Sequence, residues 1–533
     1  MRKLAALTVT AVAVAGTLVV TAPAHAAGGA GWLSANWLVQ SGTTKLSTVI
    51  KAAGADEADK DNPDDGDSAT GVALTGAGIG VALIDSGVSP VKGLDGAGKV
   101  IHGPDLSFES QAPNLRYLDT FGHGTHMAGI IAGQDTTTGI GTPFAGVAPG
   151  AHVISVKVAS ADGASDVSQV IAGIDWAVAH RNDPGLNIRV LNLSYGTQST
   201  QPAALDPLAY AVEKAWEAGI VVVVAAGNDG FAANSLTMPA ADPDVIAVGG
   251  ADTRDTDART DDVVADFSNR GNAARHPDVL AAGRSVVSLR SPGSYIDRTY
   301  PGARLSLLDD PEQRFLRGSG TSQAAAMVSG SVALLLQQRP GLRPDQVKKL
   351  LMSTADPILY GDAYAAGAGQ INVARAARTR SVLVTPQLNV AATGLGSLEA
   401  ARGGAYVYDS VTGTPLTGER DIFGMAWDAR AWTVASATQR SWIGGTWNGS
   451  TWTGSYWTGS YWTGTYWGAT VFGGQAWAPA TWTGRSWSGV AWSGRSWSSA
   501  VWSGRSWSSQ TWTGRSWSGR SWSAAGWTGE PWH

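Results

Sequence analysis

Cysteine is absent from this chain of 533 residues, so no disulfide framework can be read from it and the compartment must come from another signal. Charge is only weakly biased: a formal net charge of -5 and a pI near 5.9 speak against nucleic acid as a partner of the whole chain. Beyond the first residues no apolar run is long enough to span a bilayer, and Thr528 to His533 form neither an apolar tail nor a lipidation signal. Calcium-loop spacing is missing too. The acidic stretch Asp61-Asn62-Pro63-Asp64-Asp65-Gly66-Asp67 does not follow it, so no cofactor or metal-ligand motif is identified, although a structural Ca²⁺ stays open.

What is present begins with an export signal. Arg2 and Lys3 precede an apolar run from Leu4 to Val20, and Ala24-His25-Ala26 makes a cleavage site, which predicts a secretory signal peptide over 1–26 and an extracellular protein. A membrane anchor fits less well, because the run is short and Pro23 and small residues follow it. Residues 27–70 are small, polar and acidic and predict a solvated linker or a short pro-segment.

From Gly80 the chain alternates between apolar strands and amphipathic helices. Strands are predicted over 152–158, 188–194 and 220–225, and helices over 165–181 and 205–218, with Gly219 placed to end the second. The β-branched run Ile220-Val221-Val222-Val223-Val224 suits a strand covered on both faces. The alternation predicts an α/β fold over 71–378, a doubly wound and mainly parallel sheet. In such sheets the ligand site lies beyond the carboxyl ends of the strands. Asp85, Ser194-Tyr195-Gly196 and Ala225-Ala226-Gly227-Asn228 each follow an apolar strand, so these residues gather on one edge.

The chain is organised around Gly318-Ser319-Gly320-Thr321-Ser322 and the apolar helix that follows as far as Pro340. A serine in a first helical turn sits among unpaired N–H groups, where an anionic transition state is stabilised. It is equally the place of a helix-capping serine. A base and its orienting acid are needed to decide for a nucleophile. Asp85-Ser86-Gly87 ends a strand, and Gly122-His123-Gly124-Thr125-His126 opens a small-residue helix, which gives the order Asp85, His123, Ser322. That order is the subtilisin one.

These three segments resemble the signatures of the subtilisin-like serine proteases. The resemblance implies a secreted endopeptidase in which Ser322 attacks the peptide carbonyl, His123 moves the proton and Asp85 orients the imidazole. It places Asn228 in the oxyanion hole, gives His126 a packing role, and lays an extended peptide substrate beside Ser194, Tyr195, Gly196, Ala225, Ala226 and Gly227. Tyr195 and Thr237 are larger than the residues common at their places, which would narrow the pocket toward small or medium apolar side chains. Two features depart from the family pattern. Residues 27–70 are short for the pro-domain usual there, and Gln323-Ala324-Ala325-Ala326-Met327 stands where Met-Ala-Ala-Pro-His is usual. The arginine-rich stretch 291–317 either covers the cleft or is a surface insertion. A catalytically inert cell-surface or wall-binding protein on a protease-like scaffold is the other reading.

Residues 379–424 predict a linker, and composition then changes over 425–533. Tryptophan recurs every five residues from Trp427 to Trp532: of 22 positions only Ala437 and Phe472 depart, which takes up 20 of the chain's 24 tryptophans. A step of five turns about 140° on a helix, so no helical stripe forms. Glycine in most units suits a β-solenoid or a stack of turns, and the unit partly resembles the pentapeptide-repeat proteins, with Trp in place of Leu or Phe. Seven arginines against Asp428 and Glu530 give the repeat region +5, which leaves -10 for the remainder. Tryptophan and arginine together can stack on cell-wall sugars. Self-packing of the repeat accounts for the rings equally well. Nucleic acid is disfavoured by export, and the oligomeric state is open.

Overall fold

The computed structural model describes residues 73–111, 115–135, 144–307, 310–358, 361–380, 387–409, 414–443 and 445–451, with Ile50 and short strand fragments between 462 and 524. The predicted signal peptide and the acidic stretch lie outside the described residues.

In chain order the body is built from β1 (Gly80–Asp85), β2 (Val100–Asp105), α1 (His123–Ala132), β3 (His152–Lys157), α2 (Val167–His180), β4 (Ile188–Leu193) and α3 (Pro207–Glu217). There follow β5 (Val221–Ala225), β6 (Ile246–Asp252), β7 (Val263–Val264), β8 (Val279–Ala282), β9 (Val286–Leu289), β10 (Phe315–Gly318) and α4 (Thr321–Gln338). Seven strands run parallel in the order β8-β6-β5-β4-β1-β3-β2, and β7 adds to β6 antiparallel. Helices α1 and α4 pack together on one face and α2 with α3 on the other. The predicted doubly wound α/β sheet is therefore the fold.

Local sequence explains the element ends. Asp166 caps α2: its Oδ1 accepts from Ser168 N–H at 2.9 Å while Gln169 Oε1 accepts from Asp166 N–H at 2.7 Å, a reciprocal capping box. Asp206 caps α3 ahead of Pro207, and Gly219, with φ +88°, closes it. All five residues of β5 are buried, as its run of valines requires.

The packed body does not stop at Arg378. Past α5 (Pro344–Thr354) and α6 (Val373–Arg378), the described residues of 387–409, 414–443 and 445–451 wrap back over α2 and α3, adding α7 (Leu398–Arg402) and α8 (Ala429–Ala437). Leu398, Trp427, Trp432, Trp442 and Trp447 belong to the same apolar cluster as the sheet. This stretch spans the expected linker and the first repeats, and those repeats are docked. Asp175 on α2, fully enclosed, accepts from the indole N–H of Trp432 at 2.8 Å, the indole N–H of Trp447 at 2.9 Å and Ser436 Oγ at 3.0 Å. Trp442 donates to Ala172 O, one turn earlier on the same helix. Burial raises the Asp175 carboxyl pKa, and the three side-chain donors named above, with Ser441 as a fourth, oppose the rise.

Asp175→Ala should therefore lower the unfolding free energy of the full chain by about 3 kcal/mol or more, since each buried donor left without an acceptor costs about 1–3 kcal/mol. An unfolding free energy, taken from urea titration, lowered by less than a third of that would mean that the tryptophans dock through shape alone.

Farther along, only backbone pairings are described. Trp482 pairs in parallel with Trp502, Trp487 with Trp507 and Trp507 with Trp522, so each partner lies four or three whole pentads away.

Candidate active site

Strand β1 delivers Asp85 to the carboxyl edge of the sheet, where Ser86 N–H donates to its Oδ1 at 2.7 Å. Gly87, with φ +102°, turns the chain away. Helix α1 then approaches this turn so closely that a Cβ on Gly124 would lie 2.1 Å from Gly87 O. Only glycine fits there, and the contact brings His123 against the strand end: His123 Nδ1 lies 2.9 Å from both Asp85 carboxylate oxygens. Both side chains are buried.

A second carboxylate supports the pair, and sequence reasoning missed it. Asp119, enclosed beneath the turn, accepts from Ser86 Oγ at 2.8 Å, Gly122 N–H at 2.6 Å and Thr125 N–H at 2.7 Å. It thus ties the residue after Asp85 to the turn that presents His123. Burial raises its pKa, and these donors oppose the rise. Deeper still, Lys157 at the end of β3 pairs with Glu109 at 2.5 Å, both side chains fully enclosed, and donates to Leu118 O just before Asp119. The signal available was an acid four residues ahead of His123, in a stretch with no periodicity to mark it.

Ser322 is the second residue of α4 and is 3% exposed. The cap position falls on Gly320, with no side-chain cap, so Ser322 is not the helix cap. Without the usual proline, α4 runs unbroken for 18 residues. Asn228, just past β5, holds the start of α4: its Oδ1 accepts from Thr321 N–H at 2.8 Å and from Thr321 Oγ1 at 3.0 Å. Its carboxamide lies against Gly320, whose missing Cβ would stand 3.4 Å from Nδ2 and 3.6 Å from Oδ1. The two halves meet where α1 packs on α4, and His126 Nε2 donates to Leu316 O of β10 at 3.1 Å. Burial pushes the His126 pKa down to about 3, with the neighbouring His123 a lesser cause, so it stays neutral. That matches the packing role expected for it.

Ser194, Tyr195 and Gly196 follow β4, and Ala225, Ala226 and Gly227 close β5 beside them, on the edge that holds Asp85 and Asn228. The Tyr195 ring is 2% exposed and part of the core, so the bulk expected to narrow a pocket is packed beneath the segment instead. Thr237 does stand over it: a Cβ on Gly196 would lie 2.4 Å from Thr237 Oγ1. The arginine-rich stretch flanks the turn before His123. Tyr295 N–H and Ile296 N–H donate to Thr120 O and Phe121 O, and Arg290 and Arg304 are both bound to Asp297.

Among the described residues, one carboxylate group is close enough to share a cation: Glu213, Asp242 and Asp244, with one oxygen of each within 4.8 Å of the others. Ca²⁺ takes about six to eight oxygens. Here both Glu213 oxygens accept Ala392 N–H, Asp244 Oδ1 accepts Asn389 Nδ2 and Asp242 Oδ1 accepts Asp244 N–H. The set suits a shared proton better. Burial, then the charge of Asp242, pushes the Glu213 pKa up to about 8, and burial pushes that of Asp242 to about 6. A raised carboxyl pKa means that the folded state holds a proton that the unfolded chain releases, so stability declines as pH climbs from about 4.5 to about 8. Glu213→Gln should flatten that decline and raise the melting temperature at pH 8 and above, with or without Ca²⁺. A melting temperature that Ca²⁺ raises in the parent and not in Glu213→Gln would identify a cation site instead.

Residues 76–386 match the Peptidase_S8, or subtilase, family. Serine protease AprX of Bacillus subtilis (strain 168) is 37% identical over 308 residues, 57% of this chain and 66% of that protein. Subtilisin DY of Bacillus licheniformis is 35% identical over 309 residues, with 92% of its length covered, and Subtilisin BL of Lederbergia lenta 34% over 305 residues, with 93% covered. With the family matched over more than half of the chain, on a parallel sheet that ends in a bonded Asp–His pair, the chain belongs to the subtilases, the subtilisin-like serine protease hydrolases.

Proposed function

We propose that the chain is a secreted serine endopeptidase acting through Asp85, His123 and Ser322. The observation that carries this reading is the approach of His123 Nδ1 to both Asp85 oxygens at 2.9 Å, with Ser322 at the mouth of the neighbouring buried helix. With Nδ1 engaged by the carboxylate, Nε2 is the nitrogen that takes the Ser322 proton as Oγ attacks the peptide carbonyl. The same proton is then passed to the leaving amine, and water repeats the sequence on the acyl-enzyme. Asp85 holds the tautomer and stabilises the imidazolium. Asn228, its Oδ1 held by Thr321, has Nδ2 to donate to the developing oxyanion beside the Ser322 N–H. The peptide lies extended along 194–196 and 225–227.

No metal takes part in these steps. Export rests on residues 1–26, and the Trp/Arg repeat serves attachment or stabilisation, stacked as a solenoid of three to four pentads per coil, which the 20-residue separations of Trp482 and Trp487 from their partners and the 15-residue separation of Trp507 from Trp522 support. The test is a serine-directed fluorophosphonate on the secreted protein, with mapping of the modified residue. Label confined to Ser322 is the expected result. Folded protein that takes no label would leave a scaffold without an activated nucleophile.

A further inference from the structure

The wrapping segment 387–451 lies beyond the family match, yet it touches the edge on which a substrate would lie. The stretch after Ser194-Tyr195-Gly196 is gripped from two sides. On one, Thr197 N–H and C=O pair with Met238 C=O and N–H at 2.9 Å each. On the other, Thr197 Oγ1 donates to Ala401 O at 2.6 Å and Thr200 N–H donates to Ala400 O at 3.1 Å, both carbonyls belonging to α7. Gly403, with φ +59°, follows so closely that a Cβ there would lie 2.2 Å from Gln198 O. Helix α7 is itself anchored. Arg402, with no exposed surface, binds Asp166 Oδ2 at 2.6 Å and Gly418 O at 2.7 Å, so the carboxylate that caps α2 also fixes the helix that braces 197–200.

We propose that α7 and Gly403 are a positioning brace for the substrate-binding edge, holding the backbone of 194–198 at the distance an extended peptide requires. This rests on the endopeptidase reading above. A peptide bound to such an edge pairs with its main chain, so a shift of the edge weakens substrate binding before it disturbs Ser322, which is held separately through Asn228 and Thr321. The segment's side of the cleft is thereby set by residues outside the family match, and extended substrates feel it most.

The test uses the full chain with three substitutions. Thr197→Val removes the hydroxyl at nearly constant shape, Thr197→Ser returns it, and Gly403→Ala pushes directly on Gln198. For a tetrapeptide anilide, Thr197→Val and Gly403→Ala should each raise KM by roughly 3–10-fold with kcat within about twofold of the parent, on the scale of one lost hydrogen bond. Thr197→Ser should restore KM. The rate of fluorophosphonate labelling, which needs no extended substrate, should not change. Labelling at parental rate with KM unchanged in both disruptive variants would overturn the brace and leave the endopeptidase reading intact. A fall in labelling together with kcat and melting temperature would also overturn it, as a plain loss of stability. Absence of label in the parent would instead overturn the reading on which the brace rests.

Discussion

Replacing Ser322 with alanine should lower kcat on a peptide substrate by about 10⁶, the size of effect that loss of the equivalent serine has in subtilisin, itself a member of this family. The melting temperature should stay close to that of the parent. The cap of α4 falls on Gly320 with no side-chain bond, so the Ser322 hydroxyl adds nothing there, and alanine is the better helix former inside the first turn. The two readouts together separate a nucleophile from a structural serine: turnover lost with the fold intact is the chemical signature. His123→Ala should cost nearly as much, and the double variant little more than either alone, because residues that act as one unit do not add. Additive losses would show that the serine and histidine work in separate steps. Residual turnover above about 1% in Ser322→Ala would remove the serine from the mechanism.

Much of this fold is legible in the order of apolar and small residues. The valines of β5, the amphipathic spacing of α2 and the glycine that ends α3 each specify their element locally, which is why predicted and observed bounds differ by two residues at most. Asp85, His123 and Ser322 could be picked out because each stands at a junction of strand or helix with a glycine turn. Asp119, Glu109 and Lys157 could not. Buried charges are decided by partners, and Lys157 meets Glu109 across 48 residues of sequence, a pairing that no local pattern records. The conformation around such residues depends on the pair being complete, since one member left alone in the interior is strongly destabilising.

The wrapping segment was hidden for a related reason. Trp432 and Trp447 share the five-residue phase of every later tryptophan, so the sequence marks them as members of the repeat. What sets them apart is Asp175, which lies 257 residues before the first and 272 before the second. Composition follows the repeat, whereas packing follows the acceptor. The same holds for Arg402, which in sequence is an exposed-looking charge in a poorly patterned stretch and in the fold is enclosed against a helix cap. A glycine-rich, aromatic repeat thus begins inside the body that it follows.

Asn228→Ala should reduce kcat by about 10² to 10³ with KM little changed, the range recorded for the matching donor in subtilisin. On the proposed reading the asparagine would have two jobs, and alanine would remove both: Nδ2 as a donor toward the oxyanion, and Oδ1, which accepts from Thr321 N–H and its hydroxyl. Asn228→Asp divides them. Aspartate keeps an acceptor for Thr321, and so keeps the start of α4 in place, but it offers no donor and brings a negative charge beside the developing one. If the donor carries the effect, Asn228→Asp should fall at least as far as Asn228→Ala, while fluorophosphonate still finds Ser322. If the effect lies in placing Thr321, aspartate should recover most of the loss. A drop of less than about tenfold in both variants would take Asn228 out of the oxyanion hole and leave the charge to the backbone N–H groups at the start of α4, whose dipole favours an anion there in any case.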